Sequence, residues 1–262
     1  MESHVNGAAR TVHAFYISSS SASPGATRLR EELQRARLRT THWPAIMGGP
    51  ELLGSKGEYL QRGVESYLLP RRCERQPDAV PCTLANISGW GDVGAYLSFV
   101  TLLEHIARTS ERAPNATLLI LQDDVHLAPT WLSTLRRTLD LLDGQRHQWT
   151  RCLLSWFGAR RDEDCSHELC RVRPPAGPIE GKRYYHGLQA SLLRARAAPC
   201  LLRCLSRRRI KSVDALLVGC DSECEPGTTW ALAAQKAFGT HAGGSEKAAI
   251  DARLRARPLR SE

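Results

Sequence analysis

Short apolar runs alternate along the chain with polar breaks rich in Ser, Gly and Pro. Residues Thr11 to Ile17 are apolar at almost every position, as expected of a strand buried on both faces. Serines 18 to 21, then Ser23, Pro24 and Gly25, interrupt it. Leu29, Leu33, Ala36 and Leu38 follow at helical spacing and predict a helix over 27–38. His42 to Ile46 predicts a second strand. Val93, Leu97, Val100, Leu103 and Ile106 predict a helix over 94–107. Ala116 to Leu121 is the clearest buried strand, short, apolar and bounded by turn residues. An amphipathic helix is expected from Trp131 to Leu142, with Pro129 just ahead of it. Cys152 to Phe157 and Tyr184 to Leu193 predict two more strands, the second leading into a helix around Ala197 to Leu205. A last structured stretch opens at Val213-Asp214-Ala215-Leu216-Leu217. Residues 47–92 and 158–181 read as irregular loops. The ends, 1–10 and 243–262, read as a disordered N-terminus and a loosely ordered tail. One domain over 11–242 remains. Strands alternating with helices predict an α/β, Rossmann-like fold with a mostly parallel sheet and helices on both faces.

Composition narrows this picture. The 262 residues suit one large α/β domain, and 42% hydrophobic content is enough for a core. The net charge is +9, from 36 basic and 27 acidic residues. The basic residues are mostly Arg and are dispersed; the densest run is Arg207-Arg208-Arg209 with Lys211. No aromatic series interleaves with them, so the pattern is not that of a single-strand nucleic-acid binder. It is a solvated surface, part of which can attract a diphosphate or an anionic acceptor. No apolar run reaches the roughly 20 residues of a membrane span. Met1 to Arg10 is polar, without the apolar segment of a secretory leader, which favours the cytoplasm; the cysteines and sequons keep a secretory-pathway lumen open.

Nine cysteines leave at least one thiol unpaired within the chain. Cys165/Cys170, Cys200/Cys204 and Cys220/Cys224 are closely spaced, but none has the spacing of a zinc site. Cys200 and Cys204 share one helix face and read as small buried hydrophobes. Cys73 and Cys82, in a Pro- and Arg-rich loop, are the best disulfide candidates. Asn86-Ile87-Ser88 and Asn115-Ala116-Thr117 match the glycosylation tripeptide, which also arises by chance.

The most informative feature is a buried strand that runs directly into Gln122-Asp123-Asp124. Ligands of open α/β sheets sit at the carboxyl ends of strands. Two adjacent carboxylates there point in different directions. One can bind a hard divalent ion, Mn²⁺ or Mg²⁺, while the other meets a ribose hydroxyl or a second position on the ion. Such an ion would neutralise a departing diphosphate. Acidic pairs also sit at strand ends simply as caps, so the context matters: a strand before, Pro129 and a helix after, and an α/β opening. A transfer with inversion also requires a base for the acceptor hydroxyl. Asp214 is the candidate, with Asp221 and Glu223 behind it; Asp214 equally suits a helix N-cap. Trp156 and Phe157 read as core before sugar-stacking residues. His126 reads as an exposed loop histidine before a metal ligand. Tyr184-Tyr185-His186 either line an acceptor cleft or fill a strand.

Tyr16-Ile17-Ser18 through Arg28-Leu29, Gly91-Asp92-Val93-Gly94-Ala95-Tyr96-Leu97-Ser98, and Leu119-Ile120-Leu121-Gln122-Asp123-Asp124-Val125 follow one another in an order that resembles glycosyltransferase family 25. This is the family of lipopolysaccharide-biosynthesis and collagen-galactosyltransferase-like enzymes. His186 to Leu193 and Val213 to Leu217 resemble two later stretches of the family, so the likeness spans 12 to about 240. The resemblance implies a GT-A-like fold and transfer of a hexose from a nucleotide-sugar donor such as UDP-galactose or UDP-glucose. The acceptor would be a hydroxyl of a glycan or protein. Asp124 would be the first metal ligand and Asp123 a ribose or second metal contact, with Gln122, Ser18 and Arg28 near the nucleotide. The chain departs from the family where Phe99 replaces a usual His, Gln122 a usual Glu and Ser18 a usual Asn. These departures suit the alternative of a catalytically inactive, glycosyltransferase-like binding module.

Overall fold

The computed structural model describes residues 11–48, 90–144, 149–157, 165–166, 168–172, 186–207 and 213–241. The expected N-terminal and C-terminal tails, most of the 47–92 insertion, the Cys73–Cys82 pair, Asn86, Tyr184 and Tyr185 lie outside them. The chain opens with β1 (Val12–Ser18), α1 (Pro24–Arg35) and β2 (Arg39–Pro44). It continues through α2 (Trp90–Ser110), β3 (Thr117–Gln122), β4 (Val125–Leu127), α3 (Trp131–Gly144) and β5 (Arg151–Phe157). A small hairpin of β6 (Cys165–Ser166) and β7 (Leu169–Arg171) precedes β8 (His186–Arg194), α4 (Ala198–Ser206) and α5 (Val213–Cys224). The described chain ends with β9 (Thr229–Leu232) and β10 (Gly239–His241).

Eight strands form one sheet in the order β2-β1-β3-β8-β5-β9-β7-β6, and β4 pairs with β10 in a second, two-stranded sheet. β1 is parallel to β2 and β3, and β5 to β9. β8 lies antiparallel between β3 and β5, and β7 antiparallel beside β9. Six of the eight strands therefore point one way, and β8 and β7 oppose them. This is the α/β layout expected, with most strands pointing one way, although the insertion of β8 makes its central pairings antiparallel.

The alternation of β1 explains its nearly continuous apolar run, broken only by His13 before Ser18. Phe15 and Ile17 face a core shared with Leu118 and Ile120, covered by α2, α4 and α5 through Leu102, Leu103, Leu201, Leu205 and Leu217. Val12, Ala14 and Tyr16 face the opposite core with Leu119 and Leu121, covered by α1 (Leu29, Leu33) and α3 (Leu135, Leu139). Helices thus cover both faces, so both sides of these strands are predominantly apolar between their ends. Gly94 and Ser98 of α2 dock the chain after β2. A Cβ at Gly94 would stand 2.5 Å from the Ile46 carbonyl oxygen. The Ser98 hydroxyl accepts the Ile46 N–H at 2.8 Å and donates to the Gly94 carbonyl at 2.6 Å. Phe99 is buried in the core on the same helix.

Two disulfides staple α4 to α5, Cys200–Cys224 and Cys204–Cys220, and a third, Cys165–Cys170, closes the β6–β7 hairpin. The reading of Cys200 and Cys204 as small buried hydrophobes is therefore corrected. Cysteines four apart lie on one face of a helix. Two antiparallel helices that each carry such a pair form two rungs between them, not two local loops. Cys152 is buried and free, and burial pushes its thiol well above the usual range.

Candidate active site

The acidic tip grows out of the centre of the sheet. Ile17 pairs with Gln122, and the N–H of Asp123 still donates to the Ile17 carbonyl at 3.1 Å. The chain then leaves β3 and turns Asp123 and Asp124, both half-buried, over the carboxyl edge shared with β1. Ser23 caps α1 by accepting the Ala26 N–H at 3.1 Å, and its hydroxyl faces the Asp123 carboxylate at 3.4 Å. The first turn of α1 touches the tip directly: a Cβ on Gly25 would stand 2.2 Å from the Asp123 carbonyl oxygen. Only glycine allows that approach. The positive end of the α1 dipole is thereby held beside two carboxylates.

All five residues assigned to nucleotide and metal from sequence, Ser18, Arg28, Gln122, Asp123 and Asp124, meet at this edge. Two of them also build it. The Ser18 hydroxyl donates to the Ser20 carbonyl at 2.7 Å and lies 3.1 Å from the Ser23 hydroxyl, so it shapes the loop into α1. Arg28 donates through Nη2 to the carbonyls of Asp123 (3.3 Å) and Val125 (3.0 Å), gripping the backbone on both sides of Asp124. Asp214 lies in the first turn of α5 and is half-buried. Seven residues later on α5, about 10 Å along its axis, Asp221 pairs with Arg151 at the start of β5. That start lies at the amino end of the sheet, and among the described residues no hydrogen bond or ion pair joins Asp214 to the tip. Asp221 and Glu223 do not serve as reserve bases. Asp221 is buried against Arg151, and Glu223 is exposed and paired with Arg207. Burial pushes the Asp221 carboxyl up, and the Arg151 guanidinium opposes that shift.

Trp156 is core, 2% exposed, with its indole N–H donating to the Leu232 carbonyl. His126 is exposed on β4, opposite Thr240. Sequence reasoning missed Ser23 and Gly25, although the Ser-Pro-Gly run before a helix is a readable cap. It also missed β10, which places His241 opposite Val125 in backbone register. Gln189 on β8 stands near the carboxyl end of β3. Its neighbour Ala190 pairs with Leu121, and its buried Oε1 has no hydrogen-bond partner. No signal available from one sequence distinguishes an orphaned acceptor from an ordinary strand residue.

The donor set at the tip is two adjacent carboxylates. Among the described residues no cluster of three or more His, Cys, Asp or Glu side chains is assembled to cage a metal. Two hard oxygen ligands match the way Mg²⁺ is held by one or two carboxylates with substrate phosphates completing its shell, and not a structural zinc site. Among the described residues no helix is long and apolar enough to cross a membrane.

Fold and edge together define an α/β protein whose acidic strand end is set against a helix N-terminus. No protein-family model matches the chain, and no curated protein matches it in sequence. Among solved structures it is similar to a glycosyltransferase involved in the glycosylation of the major capsid of PBCV-1, at 9% identity and a TM-score of 0.43, over 93% of this chain and 98% of that one. It is also similar to 4-diphosphocytidyl-2C-methyl-D-erythritol synthase, at 11% identity and a TM-score of 0.43, over 94% of this chain and 99% of that one. At this level of likeness neither carries an argument about what this chain does.

Proposed function

We propose that this chain is a metal-dependent glycosyltransferase that moves a hexose from a nucleotide sugar, UDP-galactose or UDP-glucose, to a hydroxyl of a glycan or protein. The observation that supports it is the tip itself: Asp123 and Asp124 at the carboxyl edge of the central strand, fixed by Arg28 and touched by α1 at Gly25. Asp124 and Asp123 would hold Mn²⁺ or Mg²⁺, which when bound supplies charge neutralisation for the diphosphate leaving group. The first turn of α1 favours the same anion through its dipole. Gln189 offers an acceptor for a donor hydroxyl next to β3. Asp214, half-buried in the first turn of α5, is the residue we assign as base for the incoming hydroxyl. The order of motifs, with Gly94 and Ser98 anchoring α2, supports a remote relation to glycosyltransferase family 25.

The second reading, an inactive binding module, is favoured by Gln122, which leaves one negative charge fewer beside the tip than a Glu would. Calorimetric titration of UDP with and without Mn²⁺, followed by a donor screen for hydrolysis or transfer, tests both. The enzyme reading expects metal-linked UDP binding and turnover that Asp124→Ala abolishes in a folded protein. Turnover in that variant equal to wild type would remove the site assignment. Metal-linked binding without turnover on any donor would favour the module.

A further inference from the structure

We propose that Asn115 carries an N-linked glycan and that this chain matures in the lumen of the secretory pathway. Two independent observations lead there. The first is chemical environment. Six described cysteines are joined in three disulfides, and two of these are the rungs that hold α4 against α5. Structural disulfides form and persist in oxidising compartments and are rare in the cytosol. The second is the geometry of the tripeptide Asn115-Ala116-Thr117. Asn115 is exposed, in the turn between α2 and β3. Arg196 donates from Nη1 to its Oδ1 at 3.1 Å. A guanidinium has only donors, so the carboxamide oxygen is the group it holds, and Nδ2 is the atom that bears a glycan. The Asn115 carbonyl accepts from Arg194 at 2.8 Å, which fixes the backbone of the turn.

The reaction requires a lipid diphosphate-linked oligosaccharide and the host oligosaccharyltransferase. Nδ2 of Asn115 forms a bond to the anomeric carbon. The bond from that carbon to the diphosphate oxygen breaks, the lipid diphosphate leaves with the electron pair, and Nδ2 releases one proton. Thr117, the hydroxyl residue of the tripeptide, is buried in the folded chain, and its Oγ1 accepts from Arg194 at 2.7 Å. Transfer therefore precedes the pairing of β3, on the chain as it enters the lumen. After folding, the modified residue stays at the surface. It also lies just before the amino end of β3, whose length of about 20 Å separates it from Asp123 and Asp124 at the other end, so the glycan does not cover the candidate active site.

The test is expression of the full chain directed into the secretory pathway of a eukaryotic host, with peptide mapping before and after an amidase that releases N-glycans in heavy-oxygen water. The expected result is an Asn115 peptide converted to labelled Asp, in protein whose Cys200, Cys204, Cys220 and Cys224 are oxidised. Asn115→Gln removes that glycan, Thr117→Ser retains it, and the Asn115→Gln protein, checked by circular dichroism, binds UDP and Mn²⁺ as the unsubstituted chain does. An unmodified Asn115 peptide in disulfide-bonded protein would overturn the proposal. So would free thiols at those four cysteines in protein recovered from its native cells. Neither result bears on whether the tip binds a nucleotide, so the two readings fail separately.

Discussion

Replacing Gly25 with alanine tests whether the close seat of α1 on the acidic tip is what makes the site. The new Cβ would lie 2.2 Å from the Asp123 carbonyl oxygen and 3.1 Å from its carbon, where ordinary contact begins at 3.4 Å. Helix and tip must therefore separate by about 1.2 Å. The obstacle is backbone, which has no rotamer to yield, and the backbone of Asp123 is held by Ile17 and Arg28. Gly25 is not among the residues with positive φ, so alanine meets no conformational strain of its own and the effect is steric. Overpacking of this kind costs about 1–3 kcal/mol of stability. A shift of about 1 Å in a positioning element costs on the order of 100-fold in rate. The expected outcome is a folded protein with a lower midpoint in urea, and metal-linked UDP binding or turnover reduced by far more than the stability loss implies. Gly144→Ala is the control, since nothing lies within 4 Å of its Cβ position; it should leave both measurements nearly unchanged. Gly25→Ala with wild-type binding and turnover would show that the contact between α1 and the tip does not organise the site.

Three further outcomes follow from the same structure. Asp221→Asn leaves the Arg151 guanidinium buried without its counter-charge, and urea denaturation should show a loss of about 3–5 kcal/mol. An Arg151→Met, Asp221→Leu double variant should recover much of that loss, and equal destabilisation by both would argue against a charge penalty. Replacing all four cysteines of the α4–α5 staple with alanine should cost about 3.5 kcal/mol, the loop entropy of the outer, 24-residue span. Removing Cys204–Cys220 alone should cost much less, because Cys200–Cys224 already closes that loop; thermal melts with and without reductant measure both. Burial, with Arg39 and His105 nearby, lowers the pKa of His13 below 6.5. Protonation then favours the unfolded chain, so the stability His13 contributes is intact above pH 6.5 and falls as pH drops through that value towards the lower folded pKa. His13→Asn should flatten the stability–pH curve on the acid side, and an unchanged slope would exclude His13 as its source.

What the sequence made legible is what local periodicity encodes. β1, β3 and α3 are read within two residues because each carries a strong apolar pattern of its own. The tip was readable for the same reason: a strand that ends in charged residues announces where it leaves the core. The features that escaped depend on contacts distant in sequence. The β6–β7 hairpin, β9 and β10 are each four residues or fewer, too short for a period to emerge from the surrounding loop composition. The cysteine pairing was misread because spacing of four fixes which side chains share a face, not which helix that face meets. The choice between cap and clasp at Ser23 and Gly25 has the same origin, since both residues make a sound helix start by themselves. Their second role exists only because the parallel pairing of β1 with β3 brings residue 123 to the helix that β1 feeds. The site is therefore a property of strand order: the residues were visible one by one, and the crossover that unites them was not.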